Sequence, residues 1–289
     1  MEGGDRTHRR TDRITHHHEE ITMYEAIQYE NEDGVGVLTL ERPQTKNAVD
    51  AVMRRELPQL MGALNTDRTL KVLIVTGAGG NFCSGGDLRA VRDSAGSEGS
   101  AEGRRQRILD GQATPGAFLN FDRPVIAVVE GVAYGAGCSL ALTADMVLAA
   151  RDARFCLSFG RIGAVPDYGA FYTLPRIVGL QRAKELVFSA REFGAAEARD
   201  LGIVMEVHEP GTVLDRAREI ARSMAQASPL ALSVSKRALN TSLHSDLPTM
   251  LMHEADGQGI AMSTDYHLTA VRRFLDKEPP LFSWPRRRD

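Results

Sequence analysis

The sequence predicts an α/β fold of repeated strand-strand-helix (ββα) units followed by a C-terminal helical region. Three observations lead there. Runs of strand length at 71–77 and 125–129 are apolar almost throughout, as strands buried on both faces are, and each gives way to a glycine turn. Stretches with helical spacing of apolar residues accompany these runs, and beyond Gly179 that spacing is nearly continuous to Asp276.

The elements follow in order. Residues 1–22 carry Arg9-Arg10, His16-His17-His18 and Glu19-Glu20 among polar neighbours, with no hydrophobic period, so burial cannot offset their ordering entropy and a disordered tail is expected. The histidine run reads as incidental to that tail rather than as a metal site. Segments 27–30 and 35–40 alternate around Asp33-Gly34, the signature of a hairpin. A helix is expected over 50–65, a buried strand over 71–77, and a mobile loop over the Gly-, Ser- and charge-rich 91–103. The next strand, 125–129, leads through Glu130-Gly131 to a small-residue helix near Gly135 and then a strand over 146–150. Helices are expected over 182–189, 195–201, 213–227, 229–242, 247–263 and 265–276, and Arg286-Arg287-Arg288 reads as a solvated end. The chain thus divides into a tail (1–22), a core (23–207) and a helical region (208–289).

Composition narrows the function classes. The 35 Lys and Arg residues against 38 Asp and Glu leave a net charge of -3, which offers no clustered cationic surface for nucleic acid. The longest apolar run, 124–129, is too short to cross a bilayer, and the polar N-terminus has no apolar signal segment, so no membrane contact and a cytoplasmic location are expected. Cys83, Cys138 and Cys156 form no C-x-x-C pair and read as reduced packing residues, giving neither a disulfide framework nor a metal site.

Two glycine-rich turns carry the chemistry: Asn81-Phe82-Cys83-Ser84-Gly85-Gly86-Asp87-Leu88 and Gly131-Val132-Ala133-Tyr134-Gly135-Ala136-Gly137-Cys138-Ser139-Leu140. Glycine lets a backbone approach a ligand closely, and a turn feeding a helix presents free N–H groups to an anion. These turns occur in this order with Arg42-Pro43 and Asn47-Ala48 before them, Arg123-Pro124 between them, and Leu174-Pro175-Arg176-Ile177-Val178-Gly179 after them. So arranged, the chain resembles the crotonase (enoyl-CoA hydratase/isomerase) superfamily from about Tyr24 to Phe282. The resemblance implies a spiral of ββα units, an acyl-CoA thioester as substrate, and an oxyanion hole formed by the backbone N–H groups of Gly86 and Ala136. Coenzyme A would be part of the substrate, with no separate cofactor. CoA contacts implied in the same way are Lys46, the Phe82 to Leu88 loop with Ser84 and Asp87, and Phe274 with Lys277 from the C-terminal helices. A homotrimer, often doubled to a hexamer, is implied as well, with those helices meeting a neighbour's CoA site.

The chain departs from the hydratase pattern, in which two glutamates hold and exchange the protons of a water. Here those positions are Ser139 and Phe159, neither of which can act alone as an acid or base near neutral pH. No histidine lies between His18 and His208, so the base is sought among Glu130, Asp145, Asp152 and Asp167. Asp145 matches a structural aspartate of the family, Asp152 reads as an exposed turn, and Glu130 reads as a turn residue first. Asp167 lies in Gly163-Ala164-Val165-Pro166-Asp167-Tyr168-Gly169, which resembles the loop holding the catalytic aspartate of family isomerases, closest to the phenylacetate-pathway ring-epoxide isomerase branch. A plainer reading makes the Asp167 carboxylate a helix N-cap.

The expected reaction is double-bond or ring isomerisation through a stabilised enolate, with Asp167 as the base and its pKa raised by burial beside Phe159, Phe171 and Tyr172. The alternatives are an enoyl-CoA hydratase with an atypical site, its water held by Ser139, Glu130 and Asp167, and a CoA-thioester binding protein with little catalysis. Attack by Asp167 on an activated carbon, as in the family's dehalogenase, would require a supporting histidine that the core lacks.

Overall fold

A computed structural model describes residues 24–89 and 100–286. The tail expected over 1–22, residues 91–99 of the loop expected over 91–103, and the terminal Arg287 and Arg288 lie outside the described residues.

Strands β1 (Ile27–Glu32) and β2 (Val35–Leu40) pair antiparallel across Asp33 and Gly34, whose φ values of 53° and 83° are those of a hairpin turn that follows the twist of its strands. From β2 the sheet continues in parallel through β3 (Val72–Gly77), β4 (Val125–Val129), β6 (Met146–Ala150) and β9 (Glu206–His208), in the order β1-β2-β3-β4-β6-β9. The continuous apolar runs become the central strands: β4 is buried at every position and β3 at all but its last. A second sheet joins β5 (Val132–Tyr134), β7 (Arg154–Cys156) and β8 (Glu192–Gly194). Strands of three residues are too short to show a period, so the sequence does not announce them.

Helix α1 (Ala51–Thr66) begins where Asp50 Oδ1 accepts the Met53 amide at 2.9 Å and buries Met53, Leu57, Leu60, Met61 and Leu64 along one stripe. Two helices were not anticipated, α2 (Ala101–Gly111) and α3 (Ala113–Leu119). The expected loop over 91–103 is thus too long at its C-terminal end. Ser100 Oγ accepts the Gly103 amide at 3.0 Å, and this cap starts a helix among residues whose glycine and charge mask it in sequence. The short α4 (Ala136–Ala141) is buried along its whole length, then α5 (Ala170–Val178), α6 (Leu180–Ser189) and α7 (Ala195–Asp200) follow.

Helix α8 (Val213–Met224) buries Val213, Ala217, Ile220, Ala221 and Met224 against β3, β4 and β6, so the division drawn between 207 and 208 runs through the core packing. Buried Arg216 fastens it, donating to both carboxylate oxygens of Glu206 on β9 at 2.8 and 3.0 Å. The helices that reach beyond the core are α9 (Pro229–Ser242), α10 (Leu247–Met262) and α11 (Asp265–Leu275), in which only Gly257 is buried. Lys236 Nζ ties α9 to the sheet, donating to Asp145 Oδ2 at 2.7 Å and to the Arg123 carbonyl at 2.9 Å. Among the described residues no helix is long and apolar enough to cross a membrane, and all three cysteines are free and buried.

Candidate active site

The first glycine turn is strapped on two sides. Ser84 donates its amide to the Lys46 carbonyl and its Oγ to the Thr45 carbonyl, both at 2.9 Å, while Cys83 exchanges main-chain bonds with β5 through Val132 and Tyr134. Buried Asn47 holds the preceding chain, with Nδ2 donating to the Ala78 and Asn81 carbonyls at 2.9 and 2.7 Å. Val49 then bonds to the residues either side of Gly86: its amide donates to the Gly85 carbonyl at 2.8 Å and its carbonyl accepts the Asp87 amide at 3.0 Å. In such a parallel bridge the middle residue turns its own N–H the other way, so the Gly86 amide faces away from Val49.

The second turn meets the first through glycine. Gly85 has φ 101°, and a Cβ there would stand 2.9 Å from the Tyr134 carbonyl oxygen and 3.6 Å from the Ala136 nitrogen. Gly137 lies still closer, where a Cβ would stand 2.3 Å from the Cys83 carbonyl oxygen. Ala136 is the first residue of α4, and an amide at that position has no partner within its own helix. Among the described residues neither the Gly86 nor the Ala136 amide donates to protein, and both residues line one cavity of about 890 Å³.

The walls of that cavity come from the Ser84 to Leu88 turn, from α1 and α2 through Arg54 and Arg107, and from the segment Ser158 to Tyr172. Its described walls hold two carboxylates, Asp87 and Asp167, and no histidine. Asp87 is paired to Arg42 at 3.3 Å. Asp167 Oδ1 is buried with no hydrogen-bond partner, and burial pushes its carboxyl up to about 6 against the opposing pull of Arg54 and Arg107. The helix-cap reading of Asp167 does not hold. α5 starts after Gly169 with no side-chain cap, and only the Asp167 carbonyl accepts an amide there, from Ala170 at 3.1 Å. The neighbouring Tyr168 takes φ 51°, a conformation rare outside glycine, and places its ring against the same cavity.

The other candidate residues divide. Ser84, Asp87, Leu88 and Phe159 line the cavity with Gly86, Ala136 and Asp167. Ser139 does not: α4 turns its face into the core, where it is fully buried and its Oγ donates to the Gly135 carbonyl at 3.2 Å. The Phe82 side chain is likewise core, 1% exposed, because the strand it follows carries it inward. Lys46 is exposed beside the Ser84 turn, and Phe274 and Lys277 are exposed on and after α11, all three outside the cavity wall. Phe171 and Tyr172 reach the cavity but are 62% and 38% exposed, so they are not what buries Asp167. Of the rejected bases, Asp145 accepts the Val125 amide and Lys236, Glu130 accepts the Gly211 amide at 2.7 Å, and Asp152 lies in an exposed turn. Arg54, Arg107 and Tyr168 were missed. The signal for Arg54 was slight, a cation immediately after Met53 on the buried edge of α1.

This arrangement belongs to a known class. The enoyl-CoA hydratase/isomerase family matches residues 30–285 of the chain. The chain is 35% identical over 263 residues to the 1,2-epoxyphenylacetyl-CoA isomerase of Escherichia coli K12, covering 90% of this chain and 99% of the relative. It is 33% identical over 249 residues to the short-chain-enoyl-CoA hydratase of Clostridium acetobutylicum, covering 86% and 94%. The crystal structure of an enoyl-CoA hydratase/isomerase from Cupriavidus metallidurans CH34 superposes with a TM-score of 0.86 at 45% identity, covering 92% of this chain and 99% of that one. The chain therefore belongs to the enoyl-CoA hydratase/isomerase family, in the crotonase superfamily, and has its fold.

Proposed function

We propose that this enzyme, whose family acts on CoA thioesters, isomerises an unsaturated acyl-CoA with Asp167 as its one acid-base group. The observation that carries the reading is the buried Asp167 Oδ1, without a hydrogen-bond partner, in the wall of the cavity that Gly86 and Ala136 also line. The amides of Gly86 and Ala136 would donate to the thioester oxygen. As a proton leaves the carbon beside the thioester, negative charge collects on that oxygen, and fixed donors away from water stabilise it without reorganising. Asp167 would take this proton and return it at the vinylogous carbon, converting a β,γ-enoyl-CoA into its conjugated isomer. A carboxyl near 6 is ionised at neutral pH yet basic enough to exchange protons in both directions. The hydratase alternative is the weaker one because both positions where that reaction would place a glutamate lack a carboxylate, Ser139 being sealed in the core and Phe159 forming apolar wall.

The test is Asp167→Asn assayed with a β,γ-hexenoyl-CoA by the ultraviolet absorbance of the conjugated product. Turnover should fall by about 10²- to 10⁴-fold with thioester affinity retained. Full turnover in the variant, or hydration of crotonyl-CoA by the wild type outpacing isomerisation, would refute the assignment.

A further inference from the structure

The cavity is lined chiefly by apolar side chains and backbone, yet Arg54 enters it from α1, and among the described residues Arg54 makes no ion pair. Its place is defined by Gly111 of α2. A point one bond above the Gly111 Cα lies 3.5 Å from Arg54 Cδ, 3.9 Å from Arg54 Nε and 3.9 Å from Tyr168 Cε2, so guanidinium stem and phenol ring stand together. The buried Tyr168 hydroxyl has no hydrogen-bond partner of good geometry, and the Thr114 hydroxyl within its reach does not line the cavity. Arg107 lines the same cavity from the next helix.

The described walls hold three arginines, Arg54, Arg107 and Arg161, against two carboxylates, Asp87 and Asp167, and Asp87 is already paired with Arg42. That excess of positive charge beside the Tyr168 hydroxyl implies an anionic ligand. Asp167 is not that ligand, since it forms no ion pair with Arg54, and a direct pair would draw its carboxyl down and weaken it as a base. Once an acyl chain displaces water from the chamber, Asp167 would offset only part of the desolvated positive charge there, and an anion on the ligand would offset the rest. Tyr168 lines the cavity and is only 8% exposed, so a ligand reaches its hydroxyl from within the cavity.

We infer that Arg54 and the Tyr168 hydroxyl bind a second carboxylate at the far end of the acyl group, so that the substrate is an unsaturated dicarboxylic acid carried as its mono-CoA thioester. A guanidinium and a phenol are the fork and the third donor that a carboxylate takes. The inference rests on the thioester reading above and adds the identity of the acyl group to it.

Unreactive saturated thioesters separate the two claims. Titration calorimetry near neutral pH should show adipoyl-CoA binding the wild type at least about tenfold more tightly than hexanoyl-CoA, where tenfold corresponds to about 1.4 kcal/mol. Arg54→Gln should abolish that preference while leaving hexanoyl-CoA affinity within about threefold. Equal binding of the two thioesters by the wild type overturns the inference and leaves the thioester reading standing, and this comparison needs no variant to fold. Equally tight binding of ω-hydroxyhexanoyl-CoA overturns it too, because charge would then not be what is recognised. Loss of affinity for free coenzyme A in Arg54→Gln would move Arg54 to the nucleotide and overturn it as well. If neither thioester binds, both readings fall.

Discussion

Burial holds the Asp167 carboxyl near 6 although Arg54 and Arg107 pull it down, and two outcomes follow from that balance. A base must be ionised to accept a proton, so kcat/KM for the proposed isomerisation should rise along an acid limb centred at about 6. The same shift bears on stability. The folded carboxyl lies above its unfolded value of 3.8, so its favourable contribution is complete below that value and is lost as pH rises through about 6. Asp167→Asn, which mimics the protonated acid, should therefore stabilise the protein by about 3 kcal/mol above pH ~7 and by almost nothing near pH ~3, read from urea unfolding at the two pH values. Equal stabilisation at both would mean that the ionised carboxylate is not strained. Ala136 offers a matching test of the amide. Proline is tolerated at the first position of a helix, and it removes the N–H. Ala136→Pro should keep the fold and lower kcat by about 10²- to 10³-fold, whereas an unchanged kcat would remove the Ala136 amide from the mechanism.

At the scale of elements, the site exists because two short turns approach closer than any side chain would allow. Gly137 puts the first turn of α4 against the Cys83 carbonyl, and the Cys83 to Ala133 bridge continues that contact into β5. An added methyl group would meet backbone, which cannot move aside as a flexible side chain does. Gly137→Ala should cost about 2 kcal/mol or more in stability and reduce turnover beyond what the lost stability explains, because the Ala136 amide shifts with the turn. Denaturant titration alongside kinetics checks this, and a variant of native stability and activity would show that α4 does not set the spacing of the amides. The Lys236 link to Asp145 shows a different economy: burial lowers the lysine's pKa while the carboxylate opposes that shift, and the pair fastens α9 to the start of β4.

For the molecule as a whole, the C-terminal helices present Leu239, Leu243, Leu247, Leu251, Met252 and Phe274 to solvent, each more than half exposed. So much apolar surface on consecutive helices is what an interface between copies would cover. The expected assembly is a trimer or hexamer, and sedimentation at micromolar concentration should return three or six chain masses. A monomer would leave Phe274 and Lys277 without the neighbouring CoA site that the family resemblance implies for them.

The sequence by itself determined the alternation of strands and helices, the two glycine turns and Asp167 as the carboxylate to examine. Each of these is written locally, as a run of apolar residues, a left-handed glycine or a segment whose order is distinctive. Only the tertiary structure decided that Ser139 and Phe82 belong to the core and that Asp167 caps no helix. It also decided that Arg54, Arg107 and Tyr168, far apart along the chain, share one cavity. Which face a side chain takes on a six-residue helix, and what stands opposite an arginine, depend on elements packed from elsewhere. Neighbouring residues hold no record of that.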